Sequence, residues 1–135
     1  MTRNATAVWQ GGKEGKATLT TESSVLNKTP YSFKSRFEDG TDTNPEELIA
    51  AAHAGCFSMK LSLVLVDAGF TADEIETQCA ITIESGTITK SHLTVKAKVP
   101  GISKEKFEEA ANNAKDNCPV SKVLKADISM DATLS

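Results

Sequence analysis

The stretch NPEELIAAAHAGCFSMKLSLVLVDAG, residues 44–69, decides the fold. Asn44 before Pro45 has the chemistry of a helix start: the asparagine oxygen accepts from a free amide, and proline at the first helical position lacks only a donor that would have no partner. Glu47, three residues after Asn44, stands where a capping-box acid belongs, and Gly69 supplies the stop. The spacing therefore predicts one helix over 44–68. From Leu48 to Val66 it is apolar on nearly every side, yet Glu46, His53, Ser58, Lys60 and Ser62 interrupt it too often for a membrane span. A helix with so little polar face is expected to be buried all round. In a chain of 135 residues that is easiest if sheets or another subunit cover it, which predicts a homodimer.

The flanks supply the sheets. Ala5 to Gln10 and Lys16 to Thr21 read as strands around a connection containing Gly11, Gly12 and Gly15, and Tyr31 to Glu38 alternates. That alternation puts Tyr31, Phe33, Ser35 and Phe37 on one side and Ser32, Lys34, Arg36 and Glu38 on the other, so residues 1–40 are expected to form a small antiparallel sheet. After Gly69 the period becomes two again. Ile75, Thr77, Cys79, Ile81 and Ile83 share a face, and Leu93, Val95, Ala97 and Val99 repeat the pattern beyond a turn near Gly86. Ile102, Ser103 and Phe107 have the staple-and-cap spacing of a second helix ending at Asn117. Cys118 and Pro119 open a short helix to about Lys125 with Val120, Val123 and Leu124 inward, and Ile128 to Leu134 closes residues 75–135 as a second sheet with two helices. The reading is one α+β domain over 1–135: a long buried central helix packed against antiparallel sheets.

Composition narrows the function. Fifteen basic side chains against eighteen acidic ones, with Arg3 and Arg36 the only arginines, offer no stripe for nucleic acid. No basic amphipathic helix suits a membrane surface, and the first ten residues lack a signal-peptide pattern, so the expected location is the reducing cytoplasm. There a structural disulfide is out of place, and three cysteines are too few for a disulfide scaffold or an all-cysteine zinc site. Reactive thiol chemistry is the class left to test.

Cys56 lies mid-helix among apolar residues, the setting of either a plain core cysteine or a thiol that needs a nearby cation to become a thiolate. Arg36 is the leading cation, although it also reads as a solvated strand charge. Cys118 sits at a helix start before Pro119, where free amides favour a thiolate and the residue should be accessible. Cys79 falls on the apolar side of its strand and reads as buried and inert. Ten residues at ~100° each turn Glu46 to within about 80° of Cys56 but leave it about 15 Å away along the axis, so it would act by orienting Arg36. His53, three residues before Cys56, makes Cys–His activation or a metal ligand conceivable on a weak signal. No phosphate loop, nucleophile elbow or acidic metal cluster is present in the sequence.

Four stretches carry a resemblance: Ser24 to Asn27, Tyr31 to Glu38, Thr43 to Met59, and Asn117 to Leu124. In motif and order, over nearly the whole chain, they resemble the OsmC/Ohr family on its osmotically induced OsmC branch. The resemblance implies a compact intertwined homodimer with two long central helices between curved sheets and active sites at the subunit interface. It also implies a thiol-dependent peroxidase, active on organic hydroperoxides and hydrogen peroxide, without metal, haem, flavin or nicotinamide. Carried over, Cys56 attacks the peroxide, Cys118 resolves it as an intramolecular disulfide, Arg36 stabilises the thiolate and Glu46 holds Arg36. Cys79 matches no functional position. An external dithiol of lipoyl or thioredoxin type would reopen the disulfide, and no nucleic acid or membrane partner is implied. A redox sensor or switch using the same cysteine pair is the competing reading, and a structural dimer with passive thiols is the other.

The expected pocket around Cys56 is apolar, lined by Ala52, Phe57, Met59 and the aromatic strand.

Overall fold

The computed structural model describes residues 1–37 and 41–135 and divides into two compact units, Met1–Leu48 and Ile49–Ser135. In the first, β1 (Ala5–Gln10), β2 (Lys16–Thr21) and β3 (Thr29–Tyr31) form an antiparallel sheet in that order. Gly15 closes the β1–β2 connection, its amide donating to the Gly12 carbonyl at 2.9 Å. Any side chain there would meet the Gln10 carbonyl, so glycine is required.

The third strand is shorter than its sequence suggests. Beyond Tyr31 the chain turns into a five-residue helix, α1 (Phe33–Phe37), instead of continuing to Glu38, which lies outside the described residues. Ser32 drives the change: its Oγ accepts from the Ser35 amide at 3.2 Å, an N-cap that a period-two pattern conceals. Helical spacing then brings Phe33 and Phe37 together, rings parallel and 6.5 Å apart, while Trp9 packs edge-on against Tyr31 and Phe33.

The central helix α2 spans Pro45–Asp67, as its caps predict. The Glu47 amide donates to Asn44 Oδ1 at 2.8 Å, although the Glu47 carboxylate accepts from Thr43 Oγ1 rather than reaching back to the cap. At the other end Gly69 has φ +91, and the amides of Gly69 and Phe70 donate to the carbonyls of Val66 and Leu65, a Schellman stop. By length and composition α2 could cross a membrane, with mean hydropathy 1.6 over eighteen residues. Its buried stripe, however, packs on protein: His53, Phe57, Leu61 and Leu65, spaced four apart, join the core of the second unit. Burial all round is not found in the single chain. Met59, Leu63 and Val66 are 72%, 60% and 55% exposed, because the sheet covers only one side of a helix.

In the second unit β4 (Glu74–Glu84) and β5 (Thr87–Lys98) form a hairpin over Ser85–Gly86, both residues at positive φ as a two-residue primed turn requires. After α3 (Lys104–Asn117) and α4 (Pro119–Val123), β6 (Asp127–Leu134) returns beside β5. The pairing is parallel, so this sheet, ordered β4-β5-β6, is mixed and not antiparallel throughout. The two helices serve as the crossover that parallel strands need. Leu93, Val95, Ala97 and Val99 of the β5 segment meet α2 residues, Phe107, Ala110, Ala111 and Ala114 in one core. Val123, expected inward, is 74% exposed; in so short a helix Ser121 takes the buried position instead.

Candidate active site

Each unit brings one predicted pair together. In the first, Arg36 leaves α1 and Glu46 opens α2, and Arg36 Nε lies 2.9 and 3.1 Å from the two Glu46 oxygens. Asn44 ties the same two elements, donating from Nδ2 to the Ser35 carbonyl at 2.8 Å. The ion pair thus rests on helix starts fixed by their own caps. Beside it is a recess of about 90 Å³ lined by Trp9, Tyr31, Phe33, Arg36 and Pro45, apolar but for the guanidinium and Ser32.

In the second unit Cys56 and Cys118, 62 positions apart in sequence, are neighbours, both free thiols. Cys56 is half-buried on the flank of the α2 stripe. Cys118 occupies the joint between α3 and α4, closing one helix with its amide on the Ala114 carbonyl and capping the next, with Pro119 at the first position. It is not accessible as the sequence suggested. The joint folds inward, and the thiol is 0% exposed within the core.

Burial pushes the Cys56 thiol above its ordinary range, a hydrogen bond from the Val120 backbone pulls it down, and the neighbouring Cys118 pushes it up again. The amide of Val120 belongs to the unpaired first turn of α4, a contribution that reading α2 alone does not find. No cation of this unit offsets the upward push.

His53 is fully buried, with Nδ1 2.6 Å from Ser91 Oγ and Nε2 2.8 Å from Ser121 Oγ. Burial lowers its pKa, favouring the neutral ring. Cys79 is half-buried rather than buried. It pairs with Leu93 across the hairpin, so its sulfur reaches the diagonal neighbour Ser91 at 3.2 Å and lies 3.8 Å from His53 Nδ1. Burial raises its pKa and the Ser91 bond opposes that. His92, on the other face of β5, bonds to Ser129 and Asp131 of β6.

The pocket walls also differ from expectation. Phe57 is a core residue, and the aromatic group of the first unit is built from Trp9 and a helix as well as Tyr31.

The family profile described as OsmC-like protein matches residues 38–133. The chain belongs to the OsmC family. Peroxiredoxin OsmC of Escherichia coli K12 is 50% identical over 133 residues, 95% of this chain and 93% of that protein. The organic hydroperoxide resistance protein OhrB of Bacillus subtilis is 31% identical over 127 residues, 93% of this chain and 92% of its own length. The solved structure of an OsmC-like protein of unknown function from Vibrio cholerae covers 98% of this chain and 99% of its own, with a TM-score of 0.78 at 14% identity. The α+β architecture is therefore that of the OsmC and Ohr proteins.

Proposed function

We propose that this protein is a two-cysteine peroxidase in which Cys56 reduces the peroxide, Cys118 resolves the product, and Arg36, held by Glu46, stabilises the charge. Its being a peroxidase rests on the 50% identity to a peroxiredoxin and on relatives named for hydroperoxide resistance. The observation that carries the cysteine assignment is the meeting of half-buried Cys56 and buried Cys118, both unbonded, in the second unit. A passive core would have no reason to place two thiols together where Cys118 disfavours ionisation of Cys56.

Cys56 thiolate attacks the distal peroxide oxygen, the O–O bond breaks, that oxygen stays on sulfur with its hydrogen, and the alkoxide or hydroxide leaves and takes a proton from solvent. Arg36 stabilises the thiolate and the oxygen that gains charge, and a two-oxygen clamp on Glu46 fixes its orientation. The Cys56 sulfenic acid then condenses with Cys118 to a disulfide, and an external dithiol restores both thiols. The homodimer belongs to this reading: the uncovered apolar side of α2 favours a second copy across it. So does a substrate preference. An apolar pocket around the thiol would desolvate the alkyl part of an organic hydroperoxide at ~0.8 kcal/mol per CH₂, so two or three methylenes give on the order of tenfold or more over hydrogen peroxide.

The test is kcat/KM for hydrogen peroxide, tert-butyl hydroperoxide and cumene hydroperoxide, with thioredoxin-type and lipoyl-type dithiols. Peroxide consumption with the organic substrates ahead is the expected result; no consumption of any peroxide ends the enzyme reading, and parity with hydrogen peroxide ends the pocket argument. After one equivalent of hydroperoxide, peptide mapping should find Cys56 bonded to Cys118 and Cys79 free. A dominant bond through Cys79 would overturn the assignment.

A further inference from the structure

We propose that Ser121 and His53 form a buried proton relay that ionises Cys118 for the resolving step, a role that rests on Cys118 being the resolving thiol. The difficulty they solve is set by burial. A resolving cysteine must lose its proton to become a nucleophile, and Cys118 is 0% exposed, so bulk water cannot take that proton. The hydroxyl bonded to its sulfur is that of Ser121, Sγ to Oγ 3.0 Å, and Ser121 Oγ is in turn 2.8 Å from His53 Nε2. The series continues through Nδ1 to Ser91 Oγ at 2.6 Å and from there to Cys79 Sγ at 3.2 Å. Five side chains from α2, β4, β5, the α3–α4 joint and α4 thus lie in one unbroken line, within a single compact unit.

One assignment of hydrogens satisfies every member. Cys118 S–H donates to Ser121, Ser121 O–H to Nε2, Nδ1–H to Ser91, and Ser91 O–H to Cys79 sulfur, so each donor faces the same way. Nε2 is then a free base, two atoms from the thiol proton. Ser91, backed by Cys79, holds that tautomer by accepting from Nδ1, the part an orienting partner plays for a working histidine. Among the described residues the groups that face the ring nitrogens are two hydroxyls and one thiol, with no carboxylate that would keep it protonated. A neutral ring, favoured by burial, is the form the relay needs.

As the Cys118 proton passes to Ser121 Oγ, the Ser121 proton passes to Nε2. The thiolate is left with the Ser121 hydroxyl donating to it and an imidazolium one bond behind. Its electron pair forms the S–S bond to the Cys56 sulfenic sulfur as the S–O bond breaks. Hydroxide leaves as water with one proton from solvent, and the imidazolium returns one, so a sulfenic acid and a thiol give a disulfide and water.

The experiment is a single turnover: one equivalent of hydroperoxide, rapid quench with alkylation, and mass analysis of Cys56 sulfenic acid and disulfide from pH 5 to 9. The ratio of the disulfide-forming rate to the sulfenic-forming rate should fall on the order of a hundredfold in His53→Gln and in Ser121→Ala, and recover in Ser121→Thr. The resolving rate of the unaltered protein should fall on the acid side as the ring gains a solvent proton. In both deficient variants that acid-side fall should disappear. Glutamine keeps a hydrogen bond to Ser121 but cannot take a proton, and if that variant does not fold, Ser121→Ala decides alone. An unchanged ratio and pH profile in a folded variant would make the histidine a packing residue and overturn the relay. If the unaltered protein forms no Cys56–Cys118 disulfide, it is the underlying cysteine assignment that fails, and the relay with it.

Discussion

Arg36 meets Glu46 through Nε, and among the described residues the two terminal nitrogens of the guanidinium have no hydrogen-bond partner. A lysine in its place brings the charge but one flexible point of it, unable to hold a carboxylate and an oxygen substituent together. Arg36→Lys should therefore lose on the order of 10²–10³ in kcat/KM for peroxide, the size of losing a forked oxyanion donor, and near-normal turnover would reduce Arg36 to a surface charge. His53 makes a separate prediction about stability. Its pKa is lowered in the folded state, so the native ring stays neutral at pH values where the unfolded chain, near the ordinary 6.5, takes a proton. The stability it contributes is present above about pH 6.5 and is lost as pH falls toward the folded value. Urea midpoints should decline with acid through that window in the unaltered protein and less so in His53→Gln; parallel curves would mean that the ring does not carry the effect.

At the level of elements, caps and stops carry as much information as periodicity. Gly69 sits at φ +91 with nothing within 4 Å of where a side chain would project, so Gly69→Ala tests backbone conformation without a clash. The left-handed region costs a non-glycine residue about 1–2 kcal/mol, and Tm should drop by about 3–6 °C. No change would mean that the stop tolerates another geometry. The same α2 ends were readable from Asn44, Pro45 and Gly69, and the second cap from Ser103, whose Oγ accepts the Lys106 amide. The β4–β5 faces were readable because alternation over eleven or twelve residues leaves little ambiguity. Where the pattern was brief it misled: Tyr31 to Phe37 alternates, yet a serine cap and an aromatic pair four apart turn most of it into a helix. Strand direction was not readable either, since a final alternating segment has the same pattern whether it runs parallel or antiparallel. At the candidate site, Cys56, Cys118, Arg36 and Glu46 stood out by residue type and motif. Ser91 and Ser121 did not, because only folding brings positions 38 and 68 residues away from His53 against its ring.

For the whole molecule, the uncovered side of α2 is the decisive surface. Met59, Leu63 and Val66 stand exposed on a helix whose opposite stripe is core, more apolar surface than a monomer usually leaves on one element. On an exposed face Leu63→Glu would change stability by within about 0.5 kcal/mol. In a dimer interface it buries an unpaired charge and should convert the protein to monomers by analytical ultracentrifugation. A monomeric parent protein would end the dimer reading. The expectation of one domain over residues 1–135 is tested by calorimetry: a single cooperative transition supports it, and two separable ones would make each compact unit its own domain.

The parallel pairing of β5 with β6 also orders events at the ribosome. Lys90 cannot meet Asp127 until the intervening α3 and α4 have been synthesised, so the second sheet stays incomplete until the final strand arrives. Elongation through the roughly 60 residues that separate Cys56 from Cys118 takes about 3–12 s at ~5–20 residues/s. During that interval a growing chain carries Cys56, and after its first third Cys79 as well, but not the third thiol. On the proposed assignment, oxidative stress during translation would meet a nascent protein with its attacking sulfur made and its protection against overoxidation still unbuilt.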